Sequence, residues 1–214
     1  CHLFQGRPVE LPVGDGVPGA VPAVPKPQSR LNFDILKGKF GRIVGLLFFF
    51  HFFQFLPIAI FPVFQINILG LNEQNISIGS TLFFLMQFII SLRLDPLVRR
   101  SNNLKVMGIG MVLYGFYPFF LTVSSRLWIF YFVSAVGGLS MGLIGGILFN
   151  YLLERMAAQD RPGHMVFYNL SLNAAILAGS LLGPAIAGWT GFVPALIISA
   201  IGRSLIGVAI LRWG

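Results

Sequence analysis

The chain contains six long apolar stretches that are almost free of charged side chains. An α-helix needs about 17–25 residues, at a rise of about 1.5 Å each, to cross the hydrocarbon core of a bilayer. Soluble helices of this length would need a polar face, and transmembrane strands would be shorter and would alternate in hydropathy. The first five stretches contain no charged residue, and the sixth contains only Arg203. We predict spans at Ile43–Leu71, Ile76–Leu92, Val106–Val123, Leu127–Leu153, Met165–Trp189 and Phe192–Leu211.

The composition fits helices surrounded by lipid. Hydrophobic residues make up 56% of the chain and charged residues 10%, whereas a soluble domain carries roughly 25% charged residues. Too few polar side chains remain to cover a water-facing surface, which excludes most soluble enzymes and disordered proteins. Apart from Arg203, the 15 Lys and Arg residues lie outside the apolar stretches, and they form no basic patch, so we predict no nucleic-acid partner. The predicted fold is an all-α polytopic membrane protein whose partner is the lipid bilayer.

Residues 1–30 differ from the rest, because they are polar and contain six prolines. Such a segment cannot form a regular helix, and we interpret it as an extended linker. The alternative is a ligand for a proline-binding module. The six-helix bundle is then expected over residues 31–214. Since the chain begins with Cys1 rather than Met, we expect a fragment or a processed piece. This lone cysteine excludes a CxxC site, and we predict no metal and no cofactor.

The charged residues predict the topology. With the N-terminal segment in the cytoplasm, ten Lys and Arg residues flank the spans on that side, against Arg126 alone on the other. This bias agrees with the positive-inside rule and places both termini in the cytoplasm. The ten are Lys37, Lys39, Arg42, Arg93, Arg99, Arg100, Lys105, Arg155, Arg161 and Arg212.

Three local features resemble the C-terminal half of a major facilitator superfamily (MFS) transporter. The loop after span two is similar to the family's motif Gly-x-x-x-Asp-(Arg/Lys)-x-Gly-(Arg/Lys)-(Arg/Lys). Asp95, Arg99 and Arg100 match it, whereas Ser91, Pro96 and Val98 depart from it. Span five carries a Gly-Pro signature at Gly183-Pro184, with Gly179 and Gly188 beside it. The hairpin from Glu154 to Pro162 has the charged form of the family's internal loops.

The resemblance implies a secondary transporter that moves a small solute by alternating access of two six-helix bundles across the plasma membrane. The second bundle would be a missing N-terminal half or a second copy, and residues 1–30 would be the central cytoplasmic loop. Two other classes stay open. One is a membrane scaffold or a degenerate remnant. The other, less favoured, is a membrane-embedded enzyme, because the spans contain no catalytic cluster of acidic, Ser–His or metal-binding residues.

The resemblance also implies a conformational latch at Asp95, Arg99 and Arg100. An ion pair at a helix end can hold two helices together in one conformation and release them in another. The alternative is that the arginines only anchor the topology and Asp95 caps a helix in solvent.

Small residues recur at every fourth position in spans four and five. Such stripes let helix backbones approach closely, either as static packing or as surfaces that slide. The sequence does not separate these two roles. The stripes run through Ser134, Gly138, Gly142, Gly146 and Asn150, and through Ala175, Gly179, Gly183 and Ala187.

Polar side chains inside spans are costly in lipid and usually face a bundle interior or a wet cavity. On a helical wheel His51, Gln54 and Gln65 of span one fall within one sector of about 60°. We predict that these and the other polar residues line a substrate cavity, the alternative for each being an interhelical hydrogen bond. The others are Gln87, Tyr114, Tyr117, Asn150, Asn169, Asn173 and Arg203.

Arg203 and His51 are the two basic side chains in this set. The counter-charge of Arg203 could be a substrate carboxylate or phosphate, or a residue of the missing half. Backbone carbonyls and water could also serve. His51 is the only side chain of the spans that could carry a coupling proton, and its alternative is a neutral, hydrogen-bonded interior histidine.

Overall fold

The computed structural model describes residues 33–156 and 160–214. The proline-rich segment 1–30 and residues 157–159 of the predicted hairpin lie outside the described residues. The described chain forms a 3₁₀ turn, Phe33–Leu36, followed by helices α1 Lys39–Phe55, α2 Ile60–Asn67, α3 Glu73–Ser91, α4 Leu94–Arg100, α5 Asn103–Thr122, α6 Leu127–Arg155, α7 Arg161–Thr190 and α8 Phe192–Trp213.

The prediction of an all-α fold with six membrane spans is confirmed. Within the described residues, six helical segments are long and apolar enough to cross a membrane, and each overlaps one predicted stretch. The first segment runs over Lys39–Asn67 and contains the break between α1 and α2. We call residues 56–59 the α1–α2 break. Pro57 stands in it, as expected of a residue that removes a backbone donor and crowds the preceding turn.

Asparagine side chains begin two of the helices. Asn72 accepts a hydrogen bond from the backbone N–H of Asn75 at 2.8 Å, and Asn102 accepts one from Lys105 at 2.8 Å. Each bond satisfies one of the backbone donors that a helix N-terminus leaves free. These two caps fix where α3 and α5 start.

The segment after span two forms a short helix, whereas the sequence analysis predicts a loop there. Asp95 lies in the first turn of α4, and Arg99 and Arg100 lie in its last turn. This order of charges suits the helix dipole, which favours acids at the N-terminus and bases at the C-terminus. Pro96 is tolerated because the first-turn N–H groups have no partner inside the helix.

The helices pack as a row of neighbours. α6 packs against α3 and α5, α5 packs against α8, and α1 packs against both α8 and α7. Buried apolar side chains fill the interior, among them Leu47, Phe50, Met107, Met111 and Ile144. The two helices at the ends of the row, α3 and α7, are therefore the least enclosed.

Burial reflects this order. Only 6% of the apolar window of α3 is buried and 22% of that of α7, against 50% for α5. Outward-facing apolar side chains on α3 and α7 include Phe84, Phe88, Leu177 and Leu181. Both end helices thus expose apolar faces that lipid or another bundle can cover.

Glycines allow two of the close helix contacts. A Cβ atom at Gly138 or Gly142 of α6 would meet the backbone of α3 at Phe83 or Gln87. A Cβ atom at Gly179 of α7 would lie 2.7 Å from the carbonyl oxygen of Phe52. The small-residue stripes of α6 and α7 therefore lie where α3 and α1 approach most closely.

Candidate functional site

A chain of polar contacts joins α1, α6 and α7 inside the bundle. His51 Nδ1 lies 3.2 Å from Gln54 Oε1, and the hydroxyl of Tyr168 lies 3.4 Å from His51 Nε2. Gln54 Nε2 donates to the sulfur of Met141 at 3.7 Å. A neutral imidazole with its proton on Nδ1 would satisfy both of its contacts, donating to Gln54 and accepting from Tyr168. This group is called the His51 cluster.

The α1–α2 break leaves backbone oxygens without their helical donors. In a continuous helix the N–H of residue 57 would bond to Phe53 O, but Pro57 has no N–H. The N–H of Ile58 turns to Phe55 O at 3.2 Å, so the usual donor to Gln54 O is lost as well. Two carbonyl oxygens therefore need other partners.

Side chains of α8 supply those partners. Ser199 Oγ donates to Phe53 O at 2.7 Å, and Arg203 Nε donates to the same oxygen at 3.1 Å. Arg203 Nη2 donates to Gln54 O at 2.8 Å. Several partners of Arg203 stay open from the sequence alone, and in the structure its hydrogen-bond partners are backbone carbonyl oxygens.

The guanidinium of Arg203 is fully enclosed, with 0% of the residue exposed. Its central carbon lies 4.6 Å from the ring centroid of Tyr114, where the ring face partly compensates the charge. Nη1 has no hydrogen-bond partner among the described residues. The described chain also contains just one salt bridge, Lys37 to Asp34, so no acid pairs with this charge there.

Aromatic rings extend the site from Arg203 towards α2 and α3. The rings of Tyr114 and Tyr117 are stacked, with centroids 6.1 Å apart and planes 7° apart. The Tyr117 ring meets Phe61 edge-on at 5.5 Å and Phe83 at 5.8 Å. Of the two tyrosines of the predicted cavity set, Tyr114 therefore packs against Arg203, and Tyr117 packs against Tyr114.

Other predicted cavity residues lie apart from this group. Asn169 and Asn173 are exposed on α7, where Asn173 Nδ2 donates to Asn169 O at 2.8 Å. Gln65 is buried on α2, and Gln87 is half-buried on α3 where Gly142 approaches. The structure thus places one part of the set in the interior and another on the open face of an end helix.

Asn150 lies with the predicted latch residues. A cavity of about 350 Å³ opens between the ends of α3, α4, α5 and α6. Beside it Asn103 Nδ2 donates to the carboxylate of Glu154, which ties α5 to α6. The lining residues are Ser91, Leu94, Asp95, Val98, Arg99, Asn103, Gly146, Ile147 and Asn150.

The latch residues form no ion pair with one another in the part of the chain that the structure describes. Asp95 and Arg99 both line the cavity, and Arg100 is exposed at the end of α4. A latch, if it forms, would therefore need a partner from another segment or another conformation.

Three residues of the site were not singled out from the sequence. Tyr168 and Ser199 carry single hydroxyls within apolar runs, and Met141 carries no conventional polar group. Ser199 lies four residues before Arg203 and so shares its helix face, a signal that the sequence did contain. Nothing in the sequence indicates that Tyr168 or Met141 would meet the side chains of α1.

The chemistry of the interior is hydrogen bonding without metal ligation. No group of three or more His, Cys, Asp or Glu side chains could hold a metal ion within residues 33–156 and 160–214. The His51 cluster instead offers neutral donors and acceptors, and Arg203 adds a buried cation beside two aromatic rings. Such groups can recognise a polar solute or connect helices.

Comparison with known proteins places this arrangement in a family. A search among curated proteins gave no significant match. Residues 43–213 match the Major Facilitator Superfamily, a region that begins in α1 and ends in α8. Six membrane-crossing helices and a match over most of the chain show that this chain belongs to the Major Facilitator Superfamily.

Proposed function

We propose that this chain is one six-helix bundle of a secondary transporter that carries a small solute by alternating access. The family match over residues 43–213 is the observation that carries the proposal. The buried polar groups support it, because membrane helices keep costly polar side chains mainly where solutes or protons pass or where helices must connect.

The second bundle would cover the open faces of α3 and α7. These end helices are the least enclosed, and α7 turns Asn169 and Asn173 outward. A pathway between two bundles would be lined by such polar residues on otherwise apolar faces. We further propose that the protein lies in the plasma membrane. Both termini would then lie in the cytoplasm, because most Lys and Arg residues flank the spans on that side.

Solute uptake by proteoliposomes tests the function directly. The purified chain is reconstituted alone and, in parallel, together with a co-expressed second six-helix bundle, and both preparations are exposed to a panel of radiolabelled hexoses, amino acids, dicarboxylates and nucleosides. We expect saturable uptake or counterflow of one class, above that of liposomes without protein. A folded, monodisperse chain that moves no solute, alone or with a second six-helix bundle co-expressed, would favour a scaffold.

Asn173 gives a variant that locates the pathway. Asn173→Ala should lower uptake without lowering the melting temperature, because its side chain is exposed and bonds only within α7. Leu177→Ala, also exposed and one turn further along α7, is the matched control and should leave uptake unchanged. Equal uptake by both variants and the unmutated chain would place the pathway elsewhere.

The partner bundle can be identified by cross-linking. Phe84 is 66% exposed on α3, so a cysteine there in a Cys1→Ser background should be accessible to a second bundle. A disulfide dimer of this chain would indicate a second copy. Cross-linking only to a co-expressed bundle of different sequence would indicate an N-terminal half.

A further inference from the structure

The α1–α2 break is held from outside its own helices. Its two free carbonyl oxygens, Phe53 O and Gln54 O, receive three hydrogen bonds, and all three come from Ser199 and Arg203 of α8. A backbone group without a partner is expensive in a membrane interior, so these donors determine how stable the broken geometry is.

The two donors of Arg203 also fix a direction. Nε and Nη2 lie on the same edge of a rigid, planar guanidinium and contact the oxygens of consecutive residues. The directions of the carbonyl groups of Phe53 and Gln54 therefore depend on the plane of the Arg203 guanidinium. A lysine would keep the charge but has a single nitrogen, which cannot reproduce this fork.

Packing around the break leaves α8 as its polar support. Helix α7 also approaches the break, but with Gly179 and Gly183, which have no side chains to donate hydrogen bonds and which lie against the backbone at Phe52 and Leu56. Gln54, whose carbonyl Arg203 holds, is also the residue whose side chain contacts His51 and Met141. A change in the backbone at the break would therefore also displace the Gln54 side chain and alter its contacts in the His51 cluster.

We propose that Arg203 and Ser199 are positioning residues that set the angle between α1 and α2. The effect of this angle on uptake rests on the proposed transport function. Arg203 acts here through the backbone of α1 and not as a ligand of the solute.

A double-mutant cycle tests the support of the break. Pro57→Ala gives residue 57 an N–H that can reach Phe53 O, so Ser199 becomes less necessary in that background. We expect Ser199→Ala to lower the melting temperature by about 2–4 °C with Pro57 present and by less than half as much in the Pro57→Ala background. Ser204→Ala is the control, since Ser204 Oγ bonds at 3.4 Å to Val112 O of the unbroken α5. Its effect should be the same in both backgrounds.

Spin-label distances test the angle. Labels at Phe49 and Ile66, both about half exposed, lie on either side of the break. Labels at Val166 and Leu181 report on uninterrupted α7 as a control. In the Cys1→Ser chain, Arg203→Lys should shift or broaden the first distance distribution and leave the second unchanged.

The outcomes separate this inference from the transport proposal. The inference is overturned if the changes in melting temperature caused by Pro57→Ala and Ser199→Ala are additive. It is also overturned if Arg203→Lys leaves the distribution of distances between the labels at positions 49 and 66 unchanged. For a solute found in the uptake panel, Arg203→Lys should lower the maximal rate while the KM stays within about twofold. A large rise in KM with unchanged distances would instead make Arg203 a solute ligand. If no solute is taken up but coupling and distance changes remain, the transport proposal fails and the positioning role stands.

Discussion

At the scale of single residues, several polar side chains inside the apolar helices form hydrogen bonds within the protein, because lipid offers no partners. Some of these side chains turn back to their own helix, as Ser140 does by donating to Val136 O at 2.8 Å. Gln54 does both, because its Oε1 contacts His51 on α1 and its Nε2 donates to Met141 on α6. The same kind of side chain can therefore stabilise one helix or connect two.

Tyr168 provides a test at this scale. Tyr168→Phe removes only the hydroxyl, and it leaves His51 Nε2 buried without its donor. We expect the free energy of unfolding to fall by about 1–2 kcal/mol. The control is Tyr131→Phe, because Tyr131 bonds to Asn75 Oδ1 at 3.1 Å in a less buried place and should cost less than about 1 kcal/mol. Equal losses in denaturant titrations would argue against a buried contact at His51.

At the scale of helices, backbone contacts depend on where side chains are absent. Gly183 of α7 faces the carbonyl of Leu56, within the α1–α2 break, while Gly188 on the same helix has no neighbour within 4 Å. Two glycines five residues apart in one helix thus have different reasons for being there. Gly183 permits a close backbone contact, whereas no close contact in the structure requires a glycine at Gly188.

Alanine substitutions should separate these two glycines. Gly183→Ala places a methyl group against the Leu56 carbonyl, and we expect about 1–3 kcal/mol of destabilisation. Gly188→Ala meets open space and should be neutral or stabilising by up to about 1 kcal/mol, since alanine favours a helix. Thermal unfolding in the same detergent compares them. A stable Gly183→Ala variant would mean that α7 does not approach α1 as described.

The short helix α4 gives the second test at this scale. If Asp95 acts as a latch, Asp95→Asn should lower the transport rate without lowering the amount of protein in the membrane. Glu73→Gln is the matched control, because Glu73 is likewise an acid in the first turn of a helix. Unchanged uptake and an unchanged inward-to-outward ratio would leave Asp95 as a solvent-exposed helix-end residue.

At the scale of the whole molecule, the six membrane spans of residues 33–156 and 160–214 form an incomplete enclosure. Their row ends at α3 and α7, whose exposed faces are largely apolar and therefore suited to lipid or to further helices. The charged residues cluster near the ends of the helices, with Arg203 as the exception. Orientation in the membrane then depends on which end carries more positive charge.

Cysteine labelling tests this orientation. Gln74 lies at the start of α3, and Asn102 lies just before α5, so one membrane span separates them. Both residues are exposed. In a Cys1→Ser chain, a cysteine at position 74 should react with an impermeant maleimide in intact cells, and one at position 102 only after permeabilisation. The reverse pattern would invert the proposed topology.

The sequence by itself determines the number of spans and places their ends within four residues of the helix ends, as for Ile43–Leu71 against Lys39–Asn67. Hydropathy is a local property, and each span must by itself be apolar and long enough to cross the bilayer. Six apolar stretches therefore predict six membrane helices without knowledge of their neighbours. Pro57 likewise contributes to the α1–α2 break through a local effect, because its missing N–H acts within its own helix. Short-range rules missed α4, where the charges and Pro96 are compatible with either a loop or a short helix.

Only the tertiary structure decides which side chains meet. His51 and Gln54 share a face of α1, which the helical period predicts, but the hydroxyl of Tyr168 that contacts His51 lies 117 positions away in the sequence. The partner of Arg203 could not be chosen from the sequence either, because a backbone carbonyl carries no residue-type signal. Asn150 shares its spacing with the glycines of α6 and yet lies beside Asp95 and Arg99. Contacts between helices depend on their rotation and crossing, which are set by packing over the whole bundle and not by any one segment.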